Sequence, residues 1–157
     1  MSNYFIGIDP GTTGALALAS KDKAAYVLDM PTRIINKKTR LDEHELLRLV
    51  KRFKLAGATH CFLERAQAAP GQSAPAMFSY GQCYGSIRMA LVSAQVPFTE
   101  ISPALWKRGL SLTGGRENKM QSLEMARALY PEMEEYLKRQ KDNGRAEALL
   151  IAHWGAC

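Results

Sequence analysis

Residues 4–19 read YFIGIDPGTTGALALA, and this stretch decides the fold of the 157-residue chain. Its first six residues form a mostly apolar run, which predicts a buried strand that ends on a carboxylate, Asp9. Residues 10–14 have the composition of a turn, and the apolar run over 15–19 returns as a second strand. The stretch therefore predicts a β-hairpin with an acid at the end of its first strand.

Strands and helices alternate through the rest of the chain. Further strands are predicted over 24–30, 59–64 and 96–101. Helices are predicted over 42–55, 76–94, 103–110, 118–130 and 144–154. Asp42 caps the first of these helices, and a basic connection precedes it. This order predicts one domain over residues 1–157, of the α/β class, with a mixed sheet flanked by helices.

Composition excludes several classes of protein. A content of 46% hydrophobic and 23% charged residues is typical of a globular chain rather than a disordered one. No apolar run approaches the roughly 20 residues of a membrane span, and the N-terminus lacks the layout of a signal peptide. Three cysteines without a CxxC pair favour a reducing compartment, and we expect a cytoplasmic protein. The net charge of +6 suits a polyanionic partner such as nucleic acid.

Three acids fall where the hydrophobic pattern predicts burial. Asp9 and Glu64 each end a strand, and two parallel neighbouring strands would bring both acids to the same sheet edge. Glu147 lies on the apolar side of the last helix, together with Leu150 and Ile151. Buried carboxylates are costly unless a cation offsets their charge, and oxygen ligands suit Mg²⁺ or Mn²⁺. The acids thus predict a metal-dependent nuclease or phosphoryl-transfer site, which a two-metal arrangement would serve.

Three segments carry a resemblance to a known family. GIDPGTTG at 7–14, FLER at 62–65 and GRAEALLIA at 144–152 resemble the RuvC-type Holliday junction resolvases, in the order and at the intervals of that family. The phage and chloroplast-type branch is the most similar. The resemblance implies an RNase H-like fold, a homodimer, and symmetric nicking of four-way DNA junctions that leaves 5′-phosphate ends. It also implies two Mg²⁺ ions per active site, with Mn²⁺ as a substitute.

The resemblance assigns the metal ligands, with one departure. Asp9, Glu64 and Glu147 match three acids of the family, and Asn143 matches a position where the family has Asp or His. An amide is a neutral oxygen ligand and cannot act as a base. Either the site tolerates the amide, or Asp142 assists, or activity is weakened.

Basic residues are expected along the DNA path. The resemblance implies that Lys107 and Lys119 reach the scissile phosphate, with Lys119 as a catalytic residue. Phosphate contact suits the basic residues around a Gly-Gly turn and those in the connection after the third strand. From the residues alone, a charged surface patch that only contacts water is an equally good interpretation. The expected DNA-binding residues are Lys37, Lys38, Arg40, Lys107, Arg108, Arg116 and Lys119.

The long helix over 76–94 is the candidate dimer interface. Gly81 and Gly85 would permit close approach of a second copy, or would instead seat the helix on its own sheet. RuvC-type enzymes have an aromatic residue soon after the second strand-end acid, and residues 65–72 contain none. Phe78 and Tyr80 follow on the helix, where aromatic side chains are more often core or dimer contacts.

Three other functions compete with the resolvase reading. The segment IDPGTT also fits the phosphate loop of the sugar-kinase and actin superfamily, but 157 residues leave no room for the second domain that closes over nucleotide. A non-catalytic junction-binding protein is the second alternative, suggested by Asn143. Another RNase H-like nuclease, acting on an RNA–DNA hybrid or a precursor RNA, is the third.

Overall fold

A computed structural model describes residues 3–113 and 118–157. Its seven strands are β1 (Tyr4–Asp9), β2 (Ala15–Ala19), β3 (Ala24–Asp29), β4 (Thr32–Ile35), β5 (Lys38–Leu41), β6 (Ala58–Glu64) and β7 (Phe98–Ile101). Its five α-helices are α1 (Glu43–Leu55), α2 (Ala74–Ser93), α3 (Pro103–Gly109), α4 (Asn118–Leu129) and α5 (Asn143–Ala156). Short 3₁₀ helices cover Pro131–Leu137 and Gln140–Asp142.

The main sheet has five strands in the order β3-β2-β1-β6-β7. β1 pairs antiparallel with β2, as the predicted hairpin requires, and parallel with β6. β7 extends the sheet in parallel beside β6. The mixed α/β sheet predicted from the sequence is therefore confirmed.

Alternating side chains of β2 separate two cores. Ala15, Ala17 and Ala19 face a core that contains α4 and α5, whereas Leu16 and Leu18 face a second core that contains α1 and α2. The small side chains on the first face allow α5 to lie close to the sheet. This arrangement places helices on both faces, as an α/β sheet needs in order to bury its apolar surface.

The approach of α5 to β1 depends on Gly7. A Cβ atom added at Gly7 would lie 2.6 Å from the amide nitrogen of Ala152, a distance that packed atoms do not reach. A second close contact involves Gly155 of α5 itself, which lies against the ring of Phe62 on the neighbouring strand β6. Helix α5 is thus seated on the sheet at two glycine positions.

The basic connection after β3 differs from the prediction. Residues 32–41 form a second, two-stranded sheet, β4 and β5, rather than an irregular segment. Asn36 and Lys37 make its tight turn with φ of 51° and 63°, the left-handed values that two-residue hairpin turns use. Apolar and polar residues do not alternate in this segment, and most of its residues are exposed, so hydrophobic burial gives it no strand signature.

Helix starts agree with their capping residues. The Asp42 side chain accepts a hydrogen bond from the Glu45 amide at 3.0 Å and caps α1, as predicted. Ser73 does the same for α2, which begins two residues before the predicted start. None of the helices that the structure describes is long and apolar enough to cross a membrane.

Candidate active site

Three carboxylates from three elements meet at one edge of the main sheet. Asp9 ends β1, Glu64 ends β6, and Glu147 lies near the start of α5. One carboxylate oxygen from each lies within 4.8 Å of the others, so one metal ion could bind all three. Because β1 and β6 are parallel neighbours, their carboxyl ends reach the same edge. The structure therefore brings together the three acids that the sequence singled out.

Charge repulsion and burial disfavour ionisation of this cluster. Burial, followed by the charges of Glu147 and Glu64, raises the pKa of Asp9 well above its usual value. Burial is also the main cause of the raised pKa of Glu64, and the charge of Glu147 adds to it. A bound cation would remove this penalty, which is the electrostatic signature expected of a metal site.

Helix α3 supplies the two groups that counteract this penalty. The indole Nε1–H of Trp106, a fully buried residue, donates a hydrogen bond of 2.7 Å to Oε2 of Glu64. Next to it, the Lys107 ammonium lies 3.8 Å from Oε1 of Glu147. These contacts lower the pKa of Glu64 against the effect of burial, and Lys107 acts in the same direction on Asp9. Lys107 is among the residues predicted from the sequence, whereas Trp106 is not, because its only sequence signal is its place in a short capped helix.

The start of α5 lies directly against Asp9. A Cβ atom built on Gly144 would be 3.3 Å from Oδ2 of Asp9. The preceding residue, Asn143, lies one helical turn before Glu147, and its side-chain oxygen is buried with no hydrogen-bond partner among the described residues. A buried carbonyl oxygen without a donor is uncommon in proteins, and this one is available to a water molecule or a cation. The N-terminal dipole of α5 also favours anionic groups here.

Asp142 has a different environment from the one considered in the sequence analysis. Its carboxylate accepts hydrogen bonds from the Arg139 guanidinium, the shortest 2.8 Å long, and these hold its pKa below the usual value. Arg145 lies 3.6 Å from the same oxygen and also donates two hydrogen bonds to Asp29 at the end of β3. Asp142 is therefore paired with arginines at the start of α5 rather than grouped with the three acids, which disfavours the alternative in which it assists Asn143.

The predicted DNA-binding residues occupy three places. Lys107 is at the acid cluster, whereas Arg108 is exposed on α3 and Lys119 is exposed near the start of α4. Lys37, Lys38 and Arg40 lie on the β4–β5 hairpin, where Arg40 donates a hydrogen bond of 2.8 Å to Ser79 of α2. Arg116 lies outside the described residues.

The two helix aromatics have different surroundings. Phe78 is 72% exposed and is not a core residue. Tyr80 is partly buried, and its ring packs against Gly11, two residues beyond Asp9. The charges of Asp9 and Glu64 add to the effect of burial and raise the pKa of Tyr80 to about 12, which keeps it neutral. Tyr80 therefore borders the acid cluster, a position that the sequence pattern did not indicate.

Comparison with known proteins agrees with this fold. RuvC of Thermus thermophilus, in a structure with a Holliday junction substrate, superimposes with a TM-score of 0.68 over 98% of this chain and 92% of that one, at 19% identity. A second structure of T. thermophilus RuvC gives a TM-score of 0.56 over 97% and 95% of the two chains, at 20% identity. The chain has the RuvC fold. The fold that the resemblance implies is thereby confirmed.

One known protein is similar to part of the chain in sequence. A 54-residue segment, 33% of this chain, is 50% identical to the chloroplastic Holliday junction resolvase MOC1 of Chlamydomonas reinhardtii. The matched segment is only 6% of the length of that protein. No family model matches the chain.

Replacing Asp9 by Asn should stabilise the metal-free protein. A carboxyl whose pKa is raised by folding stabilises the fold only at low pH, and this contribution is lost as the pH rises through the folded-state pKa. At pH 7 in EDTA we expect Asp9→Asn to melt about 2–4 °C higher than the wild type, equivalent to roughly 1 kcal/mol. The difference should shrink as the pH falls, because the wild-type Asp9 then takes up a proton.

Calorimetry with and without divalent metal checks this prediction. Mg²⁺ or Mn²⁺ should raise the melting temperature of the wild type and have a smaller effect on Asp9→Asn. Asp29→Asn is the matched control: Arg145 lowers the pKa of Asp29, so its replacement should destabilise the protein at pH 7. An Asp9→Asn protein that melts at or below the wild-type temperature in EDTA would contradict the repulsion described above.

Proposed function

We propose that this protein is a metal-dependent DNA endonuclease that resolves four-way junctions by paired, symmetric nicking and leaves 5′-phosphate ends. The observation that carries the proposal is the cluster of Asp9, Glu64 and Glu147 at the sheet edge of a RuvC fold. Supporting it, the sequence relative is a Holliday junction resolvase, and the RuvC structure superimposed above contains a Holliday junction substrate. The whole of residues 1–157 would constitute the nuclease domain.

The donor atoms suit Mg²⁺, with Mn²⁺ as a substitute and two ions per active site. Asp9, Glu64 and Glu147 would supply carboxylate oxygens, and Asn143 would supply the buried amide oxygen that has no other described partner. Hard oxygen ligands of this kind are the ones that Mg²⁺ prefers. When bound, such ions activate the attacking water and stabilise the leaving oxygen of a phosphodiester.

The chain's own basic groups would position DNA over this site. Lys107, balanced against Glu147, is close enough to the acids to contact the scissile phosphate, and Lys119 would approach it from α4 as a catalytic residue. Arg108, Arg116 and the hairpin residues Lys37, Lys38 and Arg40 would bind the phosphates of the junction arms. Such binding weakens steeply with salt, because bound cations are released from the DNA.

The exposed side of α2 supports a homodimer. Phe78, Met89 and Val92 are 72%, 59% and 54% exposed and lie at helical spacing along one stripe. Gly81 and Gly85 lie on the same stripe, and a Cβ atom added at either would meet no described atom within 4 Å. The glycines therefore do not seat α2 on its own sheet, and their open side would allow the close approach of a second copy. A two-fold dimer would present two sites to opposed strands.

The expected location is the cytoplasm of a bacterial or phage-infected cell. The cysteines Cys61, Cys83 and Cys157 are free, in keeping with a reducing compartment. A weakened, junction-binding protein remains the second candidate, because Asn143 replaces a charged ligand.

Loss of either strand-end acid should abolish nicking. With Asp9→Asn or Glu64→Gln, the rate on a four-way junction in Mg²⁺ should fall by at least about 10³-fold, because the metal loses a carboxylate ligand. Junction affinity should change little, since the basic residues remain. Single-turnover nicking and gel-shift titration measure the two effects. Glu135→Gln, which changes an exposed acid of the 3₁₀ helix at Pro131–Leu137, should nick at close to the wild-type rate, and nicking by Glu64→Gln at that rate would refute the proposal.

Introducing a charge at position 143 should increase nicking. Asn143→Asp adds a fourth carboxylate to the ligand set, and we expect about a tenfold gain in metal affinity and in the nicking rate at limiting Mg²⁺. Asn143→Ala is the comparison, because it removes the oxygen and should reduce both. Equal or lower nicking by Asn143→Asp, together with unchanged metal affinity, would favour the junction-binding alternative.

A charge within the α2 stripe should disrupt the dimer. Met89→Glu would bury an unpaired carboxylate at the interface, and we expect the dimer dissociation constant to rise at least about tenfold. Leu55→Glu is the matched control, because Leu55 is 91% exposed at the end of α1, outside the stripe. Sedimentation velocity with junction DNA measures the association. A wild-type monomer at micromolar concentration on the junction would contradict the dimer.

A further inference from the structure

One buried tryptophan contacts the acid cluster from the side of α3. Trp106 has no exposed surface, and its indole N–H donates a hydrogen bond of 2.7 Å to Oε2 of Glu64. Among the described residues, no other side chain donates a hydrogen bond to Asp9, Glu64 or Glu147. The orientation of the Glu64 carboxylate therefore depends on Trp106 more than on any other side chain that the structure describes.

Burial makes this hydrogen bond hard to replace. If Oε2 of Glu64 turned away from Trp106, the indole N–H would lose its acceptor, and water does not reach a residue with no exposed surface. A buried donor that has no partner is costly, because the desolvation of the group is no longer offset. Rotation of the Glu64 carboxylate is thus opposed, and Glu64 offers Oε1 to a cation more readily than Oε2.

The same indole ring lies beside Lys107. The Lys107 ammonium is 5.3 Å from the centroid of the Trp106 ring, within the range of a cation–π contact. It is also 3.8 Å from Oε1 of Glu147. Trp106 therefore acts on Glu64 directly and on Glu147 through Lys107, so that one buried side chain bears on two of the three acids.

The number and flexibility of oxygen ligands distinguish Mg²⁺ from Ca²⁺. Mg²⁺ needs about six oxygens in near-octahedral positions at roughly 2.0–2.1 Å, whereas Ca²⁺ takes about six to eight in a flexible arrangement and accepts both oxygens of one carboxylate. A carboxylate that offers one oxygen suits the smaller ion. A freely rotating carboxylate would supply the additional oxygen that Ca²⁺ uses. The hydrogen bond from Trp106 should therefore affect which of the two ions binds.

We propose that Trp106 is a positioning residue that restrains Glu64 to bind a cation through one oxygen, and that it thereby favours Mg²⁺ over Ca²⁺ at the acid cluster. This inference rests on the proposed function, since it concerns the metal ion that the nuclease would use. The group responsible is the indole nitrogen rather than the ring, because a phenyl ring would occupy much of the same space without donating to Glu64.

Calorimetric titration of the DNA-free protein with Mg²⁺ and with Ca²⁺ tests the proposal. Trp106→Phe removes the N–H and keeps an aromatic ring. We expect its Mg²⁺ affinity to fall about tenfold, the loss typical when the partner of a metal ligand is removed, while its Ca²⁺ affinity stays unchanged or rises. Both affinities are measured on the same variant, so a change in its folded fraction cancels in their ratio.

Two controls separate the N–H from the packing of the core. Trp154→Phe makes the same change at the second of the two tryptophans, whose ring lies edge-on to Phe62, and should keep the wild-type ratio of affinities. In a Glu64→Gln background, residue 64 has a single side-chain oxygen and cannot bind an ion through two. Trp106→Phe should therefore leave the ratio unchanged in that background.

Nuclear magnetic resonance of the Trp106 indole N–H gives a readout that does not depend on the folding of Trp106→Phe. The variant Trp154→Phe removes the other indole signal and so assigns the resonance. A strong hydrogen bond to a carboxylate shifts the N–H proton downfield, and we expect this shift to persist when Mg²⁺ is added. Loss of the downfield shift in Mg²⁺ would show that Glu64 leaves Trp106, which would overturn the inference.

The outcomes distinguish this inference from the proposed function. Equal losses of Mg²⁺ and Ca²⁺ affinity in Trp106→Phe, or the same change of ratio in the Glu64→Gln background, would give Trp106 a packing role only and overturn the inference, whether or not the wild type nicks junctions. A wild type that binds Mg²⁺ as described but nicks no junction in Mg²⁺ or Mn²⁺ would instead reject the proposed function. A wild type that binds neither ion would reject both.

Discussion

The contact between α5 and β1 at Gly7 is the constraint on which the acid cluster depends. Because residue 7 has no side chain, the backbone of α5 rests on the strand, with Ala148 and Ala152 against it. The helix start then lies beside Asp9, at the carboxyl end of the same strand, and Glu147 faces the sheet edge. A larger residue at position 7 would lift the helix and move Glu147 away from the two strand acids. The geometry of the cluster is thus set by packing some distance from it.

The packing of α5 on the sheet does not by itself determine where the helix starts or how it is rotated about its axis. A network of ion pairs at the helix start contributes to both. Arg145 joins the start of α5 to Asp29 at the end of β3, and Arg139 holds Asp142 at the residue before the helix. These ion pairs lie outside the acid cluster, so the two arginines do not neutralise its three acids. The remaining negative charge is balanced in part by Lys107, and Trp106 orients Glu64. The carboxylates therefore keep a mutual repulsion that these contacts only partly offset, and a divalent cation would relieve it.

Much of the fold and of the cluster could be predicted because local signals agreed with global packing. The apolar run that ends at Asp9, the turn after it and the strand that ends at Glu64 each have a pattern that burial imposes. The β4–β5 hairpin lacked such a pattern because it is exposed. The contact of Trp106 could not be predicted because its partner, Glu64, is 42 residues away in sequence. The partners of Asp142 are close in sequence, but the direction of its side chain is set only in the folded structure. For Tyr80, helical spacing indicated a helix residue but not which neighbouring element it would face.

Helix α2 shows how one element can serve several parts of the molecule. Its buried side, with Cys83, Ile87 and Leu91, packs into the core beneath the sheet. Its most exposed side is the apolar stripe that a second copy would cover, and the flank between the two carries Tyr80 to the acid cluster. A shift of the dimer interface would therefore be transmitted to Tyr80 through a rigid helix, over less than one helical turn. In the proposed dimer, this geometry would link the pairing of two subunits to the surroundings of each acid cluster through α2 itself, with no loop or hinge between them.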